Sequence, residues 1–361
     1  MPAGPRPNAL GTASFEPGRL TRGDLSLGQH LGGPVSSPVM IATGTRPGPV
    51  LWVQGAIHGG EVGGTLGIAR CLNRLDLSRM SGAIIGVMTA NPLAFRTQAR
   101  NSPEDGENMN RVFPGVEAST ITRQMARALM AAAEATADAV MDLHSGGLEA
   151  IVPFYALYWD DDTPASRQAG RYARSAGTET ILTARDAWLS GAMFTQLTRR
   201  GLPALIVECG GAEVTDEQIE NFARAIEGMA RAMDILPGGP LDQARYRRIG
   251  TCDLVFTRES GFFLPACLAG DTVDVGDLVG RVVDIFGAEK ELITTPKRAF
   301  LAAIGRRYLP VTAGAMIAEL NDDLGWIKGT PAPSRARRSR FVPKRLPLHQ
   351  RTHGRGWRQN R

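Results

Sequence analysis

The chain has 361 residues and is 43% hydrophobic, 21% charged and 6% aromatic, with 42 glycines and 23 prolines. Those proportions belong to a globular chain and exclude a fibre, a wholly disordered chain and a membrane bundle, while the length suggests two domains. Ten of the 41 lysines and arginines, and none of the 36 acids, lie in residues 331–361, so the net charge of +5 conceals a body of −5 over residues 1–330. The Pro- and Arg-rich tail has no hydrophobic period and is expected to be disordered; it reads as an arm for nucleic acid or an anionic surface, although such a tail is more often an inert extension. An acidic body argues against nucleic acid as a partner. Cys71, Cys209, Cys252 and Cys267 are widely spaced, which reads as free thiols in a reducing compartment. The amino terminus shows no charged start followed by an apolar run, and no stretch approaches the ~20 apolar residues of a membrane span. A cytoplasmic location is expected, with no membrane partner.

In chain order, a β-branched apolar run predicts a strand over 50–56 and a helix over 61–75. A second strand covers 83–90 and is ended by Asn91-Pro92. Residues 96–116 are polar and aperiodic. A helix over 119–136 leads into a strand at 139–143, followed by helices at 163–176 and 191–200 around a short strand at 178–183. The strand at 204–207 precedes a capping box, Thr215 to Gln218, which opens a helix running to about residue 236. Apolar strands alternating with helices imply an α/β sheet covered on both faces. After Pro237-Gly-Gly-Pro240, residues 248–320 become strands broken by Gly-Asp turns, a small all-β domain. It resembles compact barrel-sandwich domains of the lipoyl type but lacks a lysine at an obvious hairpin tip, so a carrier role is not expected. The expected division is 1–240, 245–325 and a basic tail at 331–361.

Histidine is scarce: two of the five, His349 and His353, fall in the tail. His58 stands in Gly55-Ala-Ile-His-Gly-Gly-Glu61, just after the first strand, and His144 ends the third strand in Met141-Asp-Leu-His144. Ligands of open α/β sheets bind outside the carboxyl ends of the strands, where both histidines and Glu61 fall. Either histidine alone would more often be a hydrogen-bonded structural residue. Two imidazoles and a carboxylate together are a catalytic zinc set, with a fourth position left for water. The aperiodic segment between them reads Asn91-Pro-Leu-Ala, Arg100 and then Asn110-Arg-Val-Phe-Pro-Gly115, and loops of this length are usually functional.

With these motifs in order, and with Glu208 on the strand Ala204-Leu-Ile-Val-Glu208, the sequence resembles the succinylglutamate desuccinylase/aspartoacylase family of the zinc carboxypeptidase superfamily. The resemblance covers about residues 50–215 in motifs and implies a mixed sheet of the zinc carboxypeptidase kind. It implies that His58, Glu61 and His144 hold one zinc ion per chain and that Glu208 is the general base. It further implies that Arg100 polarises the scissile carbonyl and that Asn110 and Arg111 grip a substrate carboxylate. Asn108 departs from the pattern, since many relatives carry Asp there; if that position orients a ligand imidazole, an amide accepts the hydrogen bond more weakly. Phe154, Tyr155, Tyr158 and Trp159 are more often packing residues than substrate clamps.

The expected function is therefore hydrolysis of the amide of an N-acylated amino acid or related small molecule, with a homo-oligomer possible. The rival enzyme is a carboxypeptidase acting on peptides. The rival outside enzymology is a non-catalytic binding protein working through a polyanion-binding tail.

Overall fold

The computed structural model describes residues 6–329; the predicted tail at 331–361 lies outside them. Two short strands, β1 (Ala9–Leu10) and β2 (Ala13–Ser14), precede a long hairpin of β3 (Leu20–His30) and β4 (Gly33–Thr43). Then follow β5 (Arg46–Gly55), α1 (Val62–Asn73), β6 (Ser81–Val87), α2 (Pro92–Thr97), α3 (Ile121–Thr136) and β7 (Ala139–His144). The chain continues through β8 (Ala150–Trp159), α4 (Pro164–Ser175), β9 (Thr180–Ala184), α5 (Met193–Arg199), β10 (Ala204–Gly210) and α6 (Asp216–Ala232). Eight strands complete the described chain: β11 (Arg245–Phe256), β12 (Gly261–Pro265), β13 (Thr272–Val273), β14 (Leu278–Val283), β15 (Glu289–Thr294), β16 (Ala299–Gly305), β17 (Leu309–Val311) and β18 (Met316–Lys328).

A single 12-stranded mixed sheet runs β13-β16-β18-β11-β9-β8-β10-β7-β5-β6-β4-β3. Its centre, β10-β7-β5-β6, is parallel. Side chains of successive residues point to opposite faces of a strand, and β5 shows it: Val50 and Trp52 enter one core with α3 and α5, while Leu51 and Val53 enter the other with α1 and α6. Helices thus cover both faces, as the alternation of elements implied. Helix α1 reaches its neighbours closely because of its glycines. A Cβ on Gly67 would lie 2.4 Å from the Phe222 Cβ of α6.

The carboxyl-terminal strands have a core of their own around Phe263, Val279, Leu301 and Leu320. Yet β11 and β18 continue the central sheet, and only β15-β14-β12-β17 make a separate one. Four of the longer strands, β3, β4, β8 and β18, were not visible in the sequence pattern. The β3–β4 hairpin is half exposed and interrupted by Pro34 and Pro38. Strand β8 contains Pro153, which is tolerated beside the register shift in its pairing with β10. In β18, Glu319, Asn321, Asp322 and Asp323 break the apolar rhythm. Among the described residues no helix is long and apolar enough to cross a membrane.

Candidate active site

The carboxyl ends of three adjacent parallel strands carry the candidate residues. Strand β5 ends at Gly55, and the buried Ala56 takes a left-handed conformation (φ 55°) that turns the chain sharply toward His58. Gly59 has to be a glycine, since a Cβ there would lie 1.9 Å from the Ala94 carbonyl oxygen of α2. Glu61 is the amino-terminal cap of α1. His144 is the last residue of β7 and stands in register beside Glu208 of β10.

The three predicted ligands converge. His58 Nδ1 lies 2.7 Å from Glu61 Oε1, and His144 Nδ1 lies 2.9 Å from Glu61 Oε2. One atom from each of these buried side chains falls within 4.8 Å of the other two. The outward ring nitrogens face acceptors: Asn108 Oδ1 is 3.1 Å from His58 Nε2, and Asp142 Oδ2 is 3.0 Å from His144 Nε2. An N–H at each Nε2 leaves each Nδ1 lone pair pointing inward, the tautomer a metal ligand requires. Burial by itself would raise the Glu61 carboxyl, but the two imidazoles hold it well below the usual carboxylate range. The donor set therefore fits a divalent metal, and an N₂O set of this kind suits zinc.

Glu208 has the opposite character. Burial pushes its carboxyl up to about 8, and Glu61 and Glu319 add repulsion. Its Oε2 is buried with no hydrogen-bond partner among the described residues. Arg100 is half exposed, with its guanidinium 3.5 Å from Glu61 Oε1. Arg111 lies over the ring of Trp188 at 4.8 Å and donates to the Asn110 carbonyl at 2.7 Å. The Asn110 side chain is already engaged: Oδ1 accepts from Met193 N at 3.1 Å, and Nδ2 lies 3.4 Å from His144 Nε2. With its hydrogen on Nε2, His144 cannot accept from that amide, so the Asn110 N–H groups stay open to a ligand.

His58, His144, Glu208, Arg100, Asn110 and Arg111 line one cavity of about 90 Å³. Its far wall comes from Tyr155 of β8, which the sequence favoured as a packing residue, and from residues not singled out for the site: Asp186, Cys252 of β11, and Glu319 and Asn321 of β18. Asp142 had a signal, because in Asp-x-His on a strand both side chains share a face. Glu319 and Asn321 had none, being polar residues in a stretch that does not read as a strand. Tyr155 belongs to the cavity wall as well as to the core.

The site is an α/β sheet with a His-x-x-Glu…His cluster at its strand ends, the one candidate metal position among the described residues. The sequence model of the succinylglutamate desuccinylase/aspartoacylase catalytic domain matches residues 47–236, and the chain belongs to that family. N-alpha-acetyl-L-2,4-diaminobutyric acid deacetylase of Halomonas elongata is 27% identical over 351 residues, covering 90% of this chain and 99% of that one. Two solved structures share the fold. The succinylglutamate desuccinylase/aspartoacylase from Rhodobacter sphaeroides matches with a TM-score of 0.77 at 20% identity, over 88% of this chain and 100% of that one. The product-bound ectoine utilization protein EutE (DoeB) from Ruegeria pomeroyi matches with a TM-score of 0.78 at 21% identity, over 88% and 99%.

Proposed function

We propose that the protein is a zinc-dependent deacylase, hydrolysing the amide of an N-acylated amino acid or a similar small molecule. The observation that carries this reading is the convergence of His58, Glu61 and His144, with the unpartnered Glu208 oxygen in the same cavity. The named activity of the Halomonas relative, a deacetylase of an N-acetyl amino acid, supports it. One zinc ion held by the three ligands would supply a Lewis acid and a nucleophilic water at neutral pH. Once ionised, Glu208 Oε2 takes a proton from the attacking water and returns it to the leaving amine. Arg100 offers a fixed cation where the carbonyl oxygen gains charge. Arg111, 4.8 Å over the Trp188 ring, presents a fork for the substrate's carboxylate, with the Asn110 amide N–H groups beside it.

A cavity of about 90 Å³ walled by β11 and β18 favours a small substrate over a peptide chain. We read residues 1–240 as the catalytic unit and 245–325 as a small β domain that narrows the cleft, in a cytoplasmic protein. The test is a screen of acetyl-, succinyl- and formyl-amino acids with zinc-loaded and metal-stripped protein, scored by release of free amine. Zinc-dependent release from at least one series is expected. Release that is indifferent to metal, or peptide trimming in its place, would overturn the reading.

A further inference from the structure

Tyr155 lines the same cavity as His58, His144 and Glu208, and its hydroxyl makes no hydrogen bond among the described residues. The residue is only 5% exposed, and a tyrosine buried that deeply usually finds a partner for its oxygen. Its place in the sheet shows where a partner would come from. Tyr155 stands opposite Glu208 in the antiparallel pair of β8 and β10, and Glu208 stands opposite His144 in the parallel pair of β10 and β7. Residues opposite one another share a face, so the three side chains form a row across neighbouring strands with Glu208 in the middle. Burial, with Glu208 and Glu319 nearby, holds the phenol well above its ordinary pKa. The group therefore stays a neutral hydroxyl, able to accept a hydrogen bond as well as donate one.

An N-acyl amino acid brings one polar group to which the residues around the candidate metal position give no partner. Arg111 and Asn110 take its carboxylate, Arg100 takes its carbonyl oxygen, and Glu208 handles the proton in transit. The scissile nitrogen keeps its own hydrogen throughout, and an N–H taken out of water needs an acceptor. That acceptor has to stand beside Glu208, because the proton that Glu208 returns goes to the same nitrogen. The oxygens of Asp186, Glu319 and Asn321 belong to residues that follow β9 or lie on β18, and neither strand pairs with β10. The Tyr155 hydroxyl belongs to the residue paired with Glu208 itself.

Resting on the deacylase reading, we propose that Tyr155 is a further catalytic residue whose hydroxyl oxygen accepts the N–H of the scissile amide. With that hydrogen held on Tyr155, the electron pair that nitrogen gains as the carbon–nitrogen bond breaks is turned toward the proton on Glu208. The proton passes from Glu208 to nitrogen, the amine leaves, and Tyr155 ends as it began, having gained and lost nothing.

The experiment pairs each N-acyl amino acid that the zinc-loaded full chain hydrolyses with its ester counterpart, in which an oxygen replaces the N–H. Tyr155→Phe deletes one hydroxyl and breaks no hydrogen bond among the described residues, so the unfolding midpoint and bound zinc should stay as in the parent. The ratio of kcat/KM for amide over ester should fall about 3–10-fold in that variant, the size of one neutral hydrogen bond. A fall shared equally by amide and ester would mean that Tyr155 acts through shape or through Glu208, and it overturns the contact. An amide rate that does not move overturns it too, since water or another wall residue then takes the N–H. Calorimetry on the zinc-loaded chain separates this proposal from the deacylase reading. If no acyl amino acid is hydrolysed, yet N-acetylalanine binds more tightly than its ester counterpart O-acetyllactate and loses that advantage in Tyr155→Phe, the contact stands and the deacylase falls. Equal binding of the two compounds by the parent sinks the contact.

Discussion

Asn108 is the residue through which the candidate centre can be tuned with least disturbance, because its Oδ1 orients His58 from outside the cluster. Restoring a carboxylate with Asn108→Asp should strengthen the bond to the imidazole N–H and tighten zinc, whereas Asn108→Ala should weaken it about 10–100-fold, both read by chelator competition. His144→Ala removes a ligand outright, and bound zinc should fall well below one per chain. Acid should mimic that loss. Burial opposes a charged His144, but Asp142 and Glu61 overcome it and hold the imidazole well above its ordinary value. Protons therefore compete for His144 more strongly than for an ordinary imidazole, so zinc affinity should fall as pH falls, measured by zinc titration across pH. Glu208→Gln separates base from ligand: zinc should stay bound while turnover drops ~10²–10⁴-fold. Zinc loss in that variant would make Glu208 a ligand.

At the scale of elements, the cavity depends on close approaches between backbone segments. A Cβ on Gly191 would lie 2.0 Å from the Arg111 carbonyl oxygen, and Phe113 N donates to the Gly191 carbonyl at 3.0 Å. Gly191→Ala must push away the loop that presents Arg111, so KM for carboxylate-bearing substrates should rise with zinc content unchanged. Helix α6 offers a contrast remote from the chemistry. Its capping box is complete, with the Thr215 hydroxyl accepting from Gln218 N and the Gln218 side chain accepting from Thr215 N. Thr215→Ala should cost about 1 kcal/mol in denaturant unfolding and leave kcat unchanged. Capping was legible because its signal is local, four residues long and chemically distinctive. The need for glycine at 191 was not, since the atom it avoids is 80 residues away in sequence.

At the scale of the whole molecule, the cavity is shared between two stretches of chain. The candidate ligands and Glu208 come from β7, β10 and the turn between β5 and α1, while Glu319, Asn321 and Cys252 come from β18 and β11 of the same sheet. The basic segment 331–361 contributes none of these residues. Deleting it should leave small-substrate turnover intact and abolish any salt-sensitive binding to polyanions, read by comparing heparin retention at low and high salt. A large fall in turnover at unchanged stability would show that the segment reaches the cavity.

What the sequence determined by itself was whatever repeats at short range. The period of the central strands and helices, the Gly-rich turn around His58 and the Asp-x-His ending of β7 are each written within about ten residues. They were enough to place His58, Glu61 and His144 at neighbouring strand ends. Tertiary structure decided the pairing order of the twelve strands, the joining of β11 and β18 to the central sheet, and the far wall of the cavity. It also showed that the Asn110 side-chain oxygen is engaged by Met193 N and that Tyr155 faces the site. The reason is physical: a polar residue such as Glu319 carries no periodic signal, and its environment is set by partners more than a hundred residues away. Its setting, a half-buried carboxylate facing the cavity with no ion pair among the described residues, exists only once the chain has folded.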